Sequence, residues 1–233
     1  MILPIDLLIC SDTHETAPAL APTPQAICWL HAGDFYLNRD VATADEEADA
    51  EYAETMGQLE GGEAYEWFKH AKLPMYTVRG NHDGDDAWGF FRTTSDITGK
   101  VVRLAPQLLI LGLGWHGRHY TDLPSNRDFQ RACAAVGQEV RRLKTPADWL
   151  ILLSHYPVYP PPAQSTSPDA FSCLRELADE IEPAAIVQGH VHEWAGTQYE
   201  VSAGGRRVLI INPGPAGGIL SLDFATNSAS FRM

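Results

Sequence analysis

The chain has 233 residues, enough to bury one substantial hydrophobic core, and we expect a single domain over residues 1–233. Its formal net charge of −13 at pH 7 repels a long polyanion unless a basic patch reverses the sign locally. The densest basic group, RRLK at 141–144, lies at the end of a predicted helix, where cations favour the helix dipole. The charge therefore argues against DNA or RNA as a partner.

The sequence carries no recognisable membrane or export segment. No run of about twenty apolar residues occurs, and the N-terminal MILPIDLLIC contains Asp6 and lacks a basic flank. Four cysteines without a C-x-x-C pair suit reduced structural thiols: Cys10, Cys28, Cys133 and Cys173. We therefore expect a cytoplasmic protein with neither a membrane span nor a disulfide framework.

Apolar runs predict strands that are buried on both faces of a sheet. In chain order they are IDLLIC (5–10), AICWL (26–30), MYTV (75–78), QLLILGL (107–113), DWLILL (148–153), AAIV (184–187) and RVLII (207–211). Apolar residues at helical spacing predict helices over 48–59, 129–143 and 171–181, the third beginning near Ser167 and Pro168. This alternation indicates an α/β fold.

Two further segments have a readable local pattern. The tail from Val208 predicts two strands around a Gly/Pro turn, consistent with a meander that closes the sheet. The Pro-rich segment 156–168 follows His155 directly, and it is either a rim over a crevice or a stiff connector to the next helix.

Polar residues follow the predicted strands at the point where each one ends. The exits read SDTH (11–14), HAGD (31–34), RGNHD (79–83), SHYP (154–157), QGHVH (188–192) and NPG (212–214). Because the carboxyl ends of strands in an open α/β sheet converge on one crevice, we expect these side chains to form one site. The site would collect Asp12, His14, Asp34, Asn81, His82, His155, His190 and His192.

Imidazoles, two carboxylates and an amide oxygen are ligands that suit Zn, Mn or Fe, whereas a structural cysteine site would need thiolates. Two divalent ions would also make a positive hole in an acidic protein, which suits an anionic substrate group. The composition of the site therefore predicts a metal centre that binds an anion.

The five blocks D-x-H at 12–14, G-D at 33–34, G-N-H-D at 80–83, His155 and G-H-x-H at 189–192 resemble, in order, those of the calcineurin-like metallophosphoesterases. The resemblance spans positions 12–192. It implies a four-layer sandwich in which two mixed β-sheets are flanked by helices, with two divalent metal ions (Mn, Fe or Zn) at the strand ends.

Carried over by position, the resemblance implies that one ion is held by Asp12, His14, Asp34 and His192. The other would be held by Asp34, Asn81, His155 and His190, with Asp34 as the bridge. The implied reaction is hydrolysis of a phosphoester by a hydroxide bridging the metals. His82 would face the substrate as a transition-state donor or leaving-group acid, and Asp83 would orient its ring.

The chain also departs from parts of the family. GDFYLNRD at 33–40 replaces the common continuation of the G-D block, which leaves the subfamily open. The GDxxDRG and GNHE blocks of the phosphoprotein phosphatase branch are absent, and Arg39 and Arg79 are not safe substitutes for its catalytic arginine. Protein phosphatase activity is thereby disfavoured. His116, Arg118 and His119 are interpreted as ordinary loop residues, with a position near the crevice as the alternative.

We therefore predict a binuclear metal-dependent phosphatase or phosphodiesterase that acts on a small phosphoester, with nucleotides among the candidates. A nuclease is the alternative, and a groove lined by Arg118, Arg127 and Arg131 would favour it. A non-catalytic scaffold is the third hypothesis. A chain that had lost catalysis would be expected to have lost metal ligands, whereas all seven candidate ligands are present. The substrate is not readable from the sequence, because specificity would lie in loops.

Overall fold

The computed structural model describes residues 4–14, 16–35, 63–83, 93–114, 126–162 and 172–233. Within these ranges the α-helices are α1 (Glu63–Lys69), α2 (Asn126–Leu143) and α3 (Ser172–Ile181), and a short 3₁₀ helix spans His192–Trp194. The strands are β1 (Ile5–Cys10), β2 (Ala26–His31), β3 (Met75–Thr77), β4 (Thr94–Asp96), β5 (Lys100–Ala105), β6 (Leu108–Leu113), β7 (Trp149–Ser154), β8 (Ala185–Gln188), β9 (Thr197–Ala203), β10 (Arg206–Asn212), β11 (Gly218–Asp223) and β12 (Ser228–Arg232).

The strands form two mixed sheets of six strands each. The first has the order β12-β11-β1-β2-β3-β4, and the second has the order β5-β6-β7-β8-β10-β9. Strands β1 to β4 are mutually parallel, as are β6, β7, β8 and β10, while antiparallel strands complete both sheets. The predicted sandwich of two mixed sheets with flanking helices is confirmed.

The apolar runs are continuous because each central strand is covered on both faces. In β1, Leu7 and Ile9 enter the core between the sheets, whereas Leu8 packs on the outer side with Phe68 of α1. In the second sheet, Leu109 packs in the cluster that also holds residues of α2 and α3. Truncating such a buried leucine to alanine typically costs about 2–5 kcal/mol of stability.

All seven strands predicted from apolar runs are present, while strands without such runs were missed. Strand β9 lies at the edge of its sheet and alternates between partly buried and exposed positions, and β4, β5 and β12 also contain exposed residues. Their residues are too polar to form an apolar run, because an edge strand shields less of its surface. Burial on one face alone therefore explains why these strands were not predicted.

The helices predicted over 129–143 and 171–181 correspond to α2 and α3. Phe129, Val136 and Val140 of α2 are buried against the second sheet, as the spacing predicts. Helix α3 begins at Ser172 in the described residues, and both the start proposed at 167–168 and the helix predicted over 48–59 lie outside them. Helix α1 was not predicted.

The tail differs from the predicted meander. Strands β10 and β11 flank the Gly/Pro turn as expected, but they belong to different sheets. Strand β10 pairs with β8 and β9, whereas β11 pairs with β1 and β12. The turn therefore carries the chain from one sheet to the other, and the prediction that both strands close a single sheet was wrong.

The four cysteines are buried and form no disulfide, as predicted. No helix within the described ranges is both long and apolar enough to span a bilayer.

Candidate metal centre

Six strands that run parallel within their sheets end near the site, and five of them carry candidate site residues at their carboxyl ends. Strands β1, β2 and β3 lead to the D-x-H, G-D and G-N-H-D blocks, and β7, β8 and β10 lead to the SHYP, QGHVH and NPG exits. The two sheets meet here, since His155 Nδ1 after β7 lies 2.9 Å from the carbonyl oxygen of Ala32 after β2. The predicted convergence of strand exits is therefore present.

Asp12, His14 and His192 form the first ligand group. One nitrogen or carboxylate oxygen from each lies within 4.8 Å of the others. The Nε2 atoms of His14 and His192 are 3.0 Å apart, and His192 Nε2 lies 3.9 Å from Asp12 Oδ1. Two imidazole nitrogens directed at each other beside a carboxylate are suited to sharing a cation.

Asp34, His155 and His190 form the second group, with ligand atoms again within 4.8 Å of one another. Asn81 Oδ1 joins them, at 2.9 Å from His155 Nε2 and 3.0 Å from His190 Nδ1. Asp34 Oδ2 lies 3.4 Å from His155 Nε2. The four residues predicted for the second metal therefore surround one point.

The donor set of the second group fits a bound cation. His155 Nδ1 faces a carbonyl oxygen, which only accepts, so Nδ1 carries the hydrogen and Nε2 of the neutral ring presents a lone pair. That lone pair is directed toward Oδ2 of Asp34 at 3.4 Å, and an ionised carboxylate also only accepts. A divalent ion between these atoms would convert a repulsive arrangement of acceptors into coordination.

The electrostatics of the site are those of buried groups of like charge. Burial, followed by the nearby charges of Asp83 and Asp12, raises the pKa of Asp34 well above its ordinary range. Burial lowers the pKa of His155 well below its ordinary range, with the neighbouring His190 adding to the effect. Burial thus keeps the His155 ring neutral beside Asp34, which contacts no Lys or Arg side chain among the described residues, and a metal ion would supply positive charge there.

Backbone strain is concentrated at the ligands. Among the described residues, six non-glycine residues have positive φ, and four of them are site residues: Asp12 (49°), His14 (41°), Asp34 (57°) and His190 (72°). A left-handed backbone at a residue with a β-carbon is unfavourable and typically costs of order 1–3 kcal/mol. Such strain persists only where the surrounding structure enforces it, and here it turns side chains of neighbouring loops toward one point.

Two glycines allow the G-D and G-N-H-D loops to touch. A β-carbon on Gly33, whose φ is 88°, would lie 2.7 Å from Gly80 N, and one on Gly80 would overlap the Asp34 carboxylate. Asp83 joins the same loops, because its carboxylate accepts hydrogen bonds from the backbone N–H groups of Gly80 (2.9 Å), Asp34 (2.8 Å) and Phe35 (2.8 Å). Asp83 therefore positions the loop that carries Asp34, and its predicted action on the ring of His82 stays a prediction.

His82 lies between the two ligand groups. Its Nε2 is 3.8 Å from Asp34 Oδ2, its ring centroid is 5.5 Å from that of His14, and its side chain is 15% exposed. Its backbone N–H donates to Asp34 Oδ1 at 2.9 Å. Burial, reinforced by the surrounding histidines, lowers the pKa of His82 to about 4.

His31 also belongs to the site, although its role was not predicted from the sequence. Its Nδ1 accepts the backbone N–H of Gly33 at 3.1 Å, so its Nε2–H donates to Thr13 Oγ1 at 3.0 Å. Burial lowers the pKa of His31 to about 3, so the ring stays neutral and keeps both bonds. One buried ring thus ties the D-x-H loop to the G-D loop, and the signal was a histidine placed within the HAGD exit.

Two further described residues, Arg79 and Asn212, are paired outside the candidate ligand groups. Arg79 is paired with Asp96 through Nε and Oδ2 at 2.7 Å, in agreement with the view that it is no substitute for a catalytic arginine. Asn212 of the NPG exit donates through Nδ2 to Thr197 Oγ1 at 3.1 Å and so braces the start of β9. Arg39, His116, Arg118 and His119 lie outside the described residues.

Two of the three arginines whose alignment along one groove would favour the nuclease alternative lie on α2. Arg127 and Arg131 are exposed there, and Arg131 Nη1 lies 3.7 Å from Asp128 on the same helix. The third, Arg118, lies outside the described part of the chain.

Comparisons with known proteins agree with this fold. A sequence profile described as "Calcineurin-like phosphoesterase" matches residues 5–194. A dimetal phosphatase from Danio rerio superposes with a TM-score of 0.56 at 9% identity, covering 93% of this chain and 92% of its own. GAP50, the anchor in the inner membrane complex of Plasmodium, gives 0.58 at 11% identity over 98% and 84% of the two chains.

The phosphopantetheinyl hydrolase PptH from Mycobacterium tuberculosis gives a TM-score of 0.50 at 14% identity, covering 90% of this chain and 89% of its own. At such identities the likeness shows a shared fold. No curated protein sequence matches the chain.

Proposed function

Because the chain belongs to the calcineurin-like phosphoesterase family, we propose that it is a binuclear metal-dependent phosphohydrolase that acts on a small phosphomonoester or phosphodiester, with nucleotides among the candidate substrates. The observation that carries the proposal is the convergence of acceptor atoms on one point. The lone pair of His155 Nε2 faces Asp34 Oδ2 at 3.4 Å and Asn81 Oδ1 at 2.9 Å, with no cationic side chain among the described residues around them.

Two ions fit the donor set better than one, because the ligands fall into two groups. Asp12, His14 and His192 would hold the first ion, and Asn81, His155 and His190 would hold the second. Asp34 would be shared between them. Such ions would polarise the phosphoryl oxygens and generate a hydroxide nucleophile from water at neutral pH.

His82 is the protein group best placed to act on the substrate rather than on a metal. It lies beside both ligand groups and is partly exposed, so a bound phosphoester can reach its ring. We assign its neutral ring to donation of a hydrogen bond to the phosphoryl oxygens, and it would protonate the leaving oxygen only where the bound anion raises its pKa above the value of about 4. The Gly80 to Asp83 turn holds it there through its backbone bond to Asp34.

A small substrate follows from the charge of the protein. The formal net charge is −13, so attraction for an anion would come from the metal-lined hole and would fade along an extended polyanion. A compact phosphoester can be bound by the positively charged metal-lined cavity alone.

The test is metal loading followed by turnover. We expect elemental analysis to find about two ions per chain after loading with Mn, Zn or Fe, and the loaded protein to hydrolyse p-nitrophenyl phosphate or bis-p-nitrophenyl phosphate. A comparison of the two esters separates monoesterase from diesterase activity. Fewer than about one ion per chain, or full loading without turnover of any ester in a broad panel, would contradict the proposal and favour a scaffold.

A further inference from the structure

We propose that Gln188, a fully buried residue outside the ligand set, is a positioning residue for His155 and so for the second ligand group. This inference rests on the proposed two-ion centre. Gln188 is the last residue of β8 and pairs with Ser154, the last residue of β7. Its neighbour Gly189 donates its backbone N–H to the carbonyl oxygen of His155 at 3.1 Å.

The side chain of Gln188 bonds to the loop that follows His155. Its Oε1 accepts the backbone N–H groups of Val158 at 2.9 Å and Tyr159 at 3.3 Å. Its Nε2 donates to the carbonyl oxygen of Tyr159 at 2.8 Å and to the hydroxyl of Tyr199 at 3.2 Å. That hydroxyl in turn donates to the same Tyr159 carbonyl at 2.6 Å.

These contacts leave the carboxamide a single orientation. Two N–H groups can bond only to its oxygen, and the Tyr159 carbonyl can bond only to its nitrogen. The loop leaves β7 and thereby loses its strand partner, so its buried backbone groups need bonds from elsewhere. Gln188 supplies them, and its side chain acts as a short replacement for a neighbouring strand.

The loop so held begins with a ligand. The rings of His155 and Tyr156 meet edge to face at a centroid distance of 5.1 Å, and the Tyr156 ring lies 5.1 Å from that of His190. The loop path therefore sets where the His155 ring lies, and the bond from its Nδ1 to Ala32 across the sheets depends on that placement. Gln188 thus supports one ligand group, while the first group is built on β1 and on the segment after His190.

The effect on metal binding is expected at one ion only. Mutation of a residue that orients a metal ligand typically lowers the metal affinity about 10–100-fold. In Gln188→Leu one of the two stepwise Mn²⁺ dissociation constants should rise by this factor, measured by titration calorimetry on folded protein, and the other should stay within about twofold. Tyr159→Phe is the control, because it removes the bond from its hydroxyl to Asp179 (3.1 Å) and leaves the backbone bonds to Gln188 in place.

A second readout does not depend on metal or turnover. In the metal-free protein, long-range ¹H–¹⁵N spectra should assign the Nδ1–H tautomer to His155 in the wild type and in Tyr159→Phe, and a mixture of tautomers in Gln188→Leu. If the wild type bound no metal, the two-ion centre would fail, while this readout would still decide the role of Gln188.

Gln188→Glu is a second variant for the case in which Gln188→Leu does not fold. It keeps the acceptor for the two N–H groups and loses the donor for the Tyr159 carbonyl. We expect Gln188→Glu to lower the Mn²⁺ affinity of the second ligand group less than Gln188→Leu does. The fraction of His155 in the Nδ1–H tautomer should lie between those of the wild type and Gln188→Leu. Wild-type tautomer and wild-type affinities in both variants would overturn the inference. An equal loss of affinity for both ions would also overturn the inference, because a general structural defect would affect both binding sites.

Discussion

The two ends of β7 hold buried polar groups in opposite electrostatic states. Asp148 precedes the strand, and its carboxylate accepts Arg103 Nη1 at 2.6 Å, Arg103 Nη2 at 3.1 Å and the backbone N–H and hydroxyl of Thr145, both at 2.8 Å. His155 follows the strand, and its Nε2 lone pair faces the acceptors Asp34 and Asn81. One end is neutralised by protein donors, and the other is arranged for a cation from outside.

The pKa values of the carboxylates follow this difference. The hydrogen bond from Arg103, together with those from Thr145, lowers the pKa of Asp148 far below its ordinary range. Burial and neighbouring carboxylates raise the pKa of Asp34. Both side chains are nearly inaccessible, at 3% and 1% exposure. Two carboxylates of similar burial therefore differ in pKa because a guanidinium and hydrogen-bond donors offset the burial of Asp148, whereas neighbouring carboxylates add to the burial of Asp34.

The sharpest test of this contrast is Asp34→Asn. The amide keeps the oxygen that accepts the His82 N–H, and asparagine tolerates the left-handed φ of 57° at this position. We expect turnover to fall roughly 10⁴-fold, because the ligand shared by both ions is weakened. Steady-state kinetics on bis-p-nitrophenyl phosphate and elemental analysis measure the two effects, and two tightly held ions in the variant would contradict the bridging assignment.

The same variant should be more stable than the wild type without metal, since it removes a buried charge placed among like charges. Thermal unfolding in chelator gives the comparison. A lower melting temperature in the variant would show that Asp34 is satisfied by the protein itself.

In His82→Ala both metal ions should stay bound, and the turnover rate should fall about 10²–10³-fold. The loss should be smaller for esters of p-nitrophenol, a good leaving group that needs little protonation, than for alkyl esters. Parallel kinetics on the two ester classes, with metal content as control, make the measurement. An equal deficit for both classes would exclude a main role as leaving-group acid and leave stabilisation of the phosphoryl oxygens.

Asp148→Asn tests the neutralised end and should lower the melting temperature by about 2–4 °C, as expected for loss of a partly exposed ion pair and its hydrogen bonds in a chain of this length. Because the pKa of Asp148 is lowered in the folded state, the stabilisation is fully present above the ordinary aspartate pKa of about 4 and is lost progressively as the pH falls from there through the lowered folded-state pKa. The difference in melting temperature between variant and wild type should therefore be constant between pH 5 and 7 and should narrow toward pH 3. A difference that stays constant down to pH 3 would point to packing instead.

The smallest effect is expected for nucleic acid. Oligonucleotides of about twenty residues should bind weakly at physiological salt, because each phosphate contact would need a basic side chain and would contribute about −0.7 to −0.9 to the slope of log affinity against log salt. A gel-shift titration measures this. Submicromolar binding with a steep slope would favour the nuclease alternative over a small ester.

Much of the candidate site could be predicted from the sequence, because each ligand directly follows a run of apolar residues. Asp12, His155 and His190 lie just beyond strand ends, and parallel strands deliver their carboxyl ends to one edge. Asp83, His31 and Gln188 could not be given their roles in this way. Each acts on residues of another segment, and the sequence spacing between such partners carries no information about contact.

By itself, the sequence determined the central strands, two amphipathic helices, the family and the ligand types, since these depend on local patterns of burial and on residue chemistry. The tertiary structure decided that β10 and β11 lie in different sheets, that Asp83 braces the G-D loop, and that Gln188 replaces a missing strand behind His155. These features depend on which backbone groups are left without partners after the sheets have formed. That is settled only when distant segments pack together, because buried N–H and C=O groups take the partners that the assembled fold brings within reach.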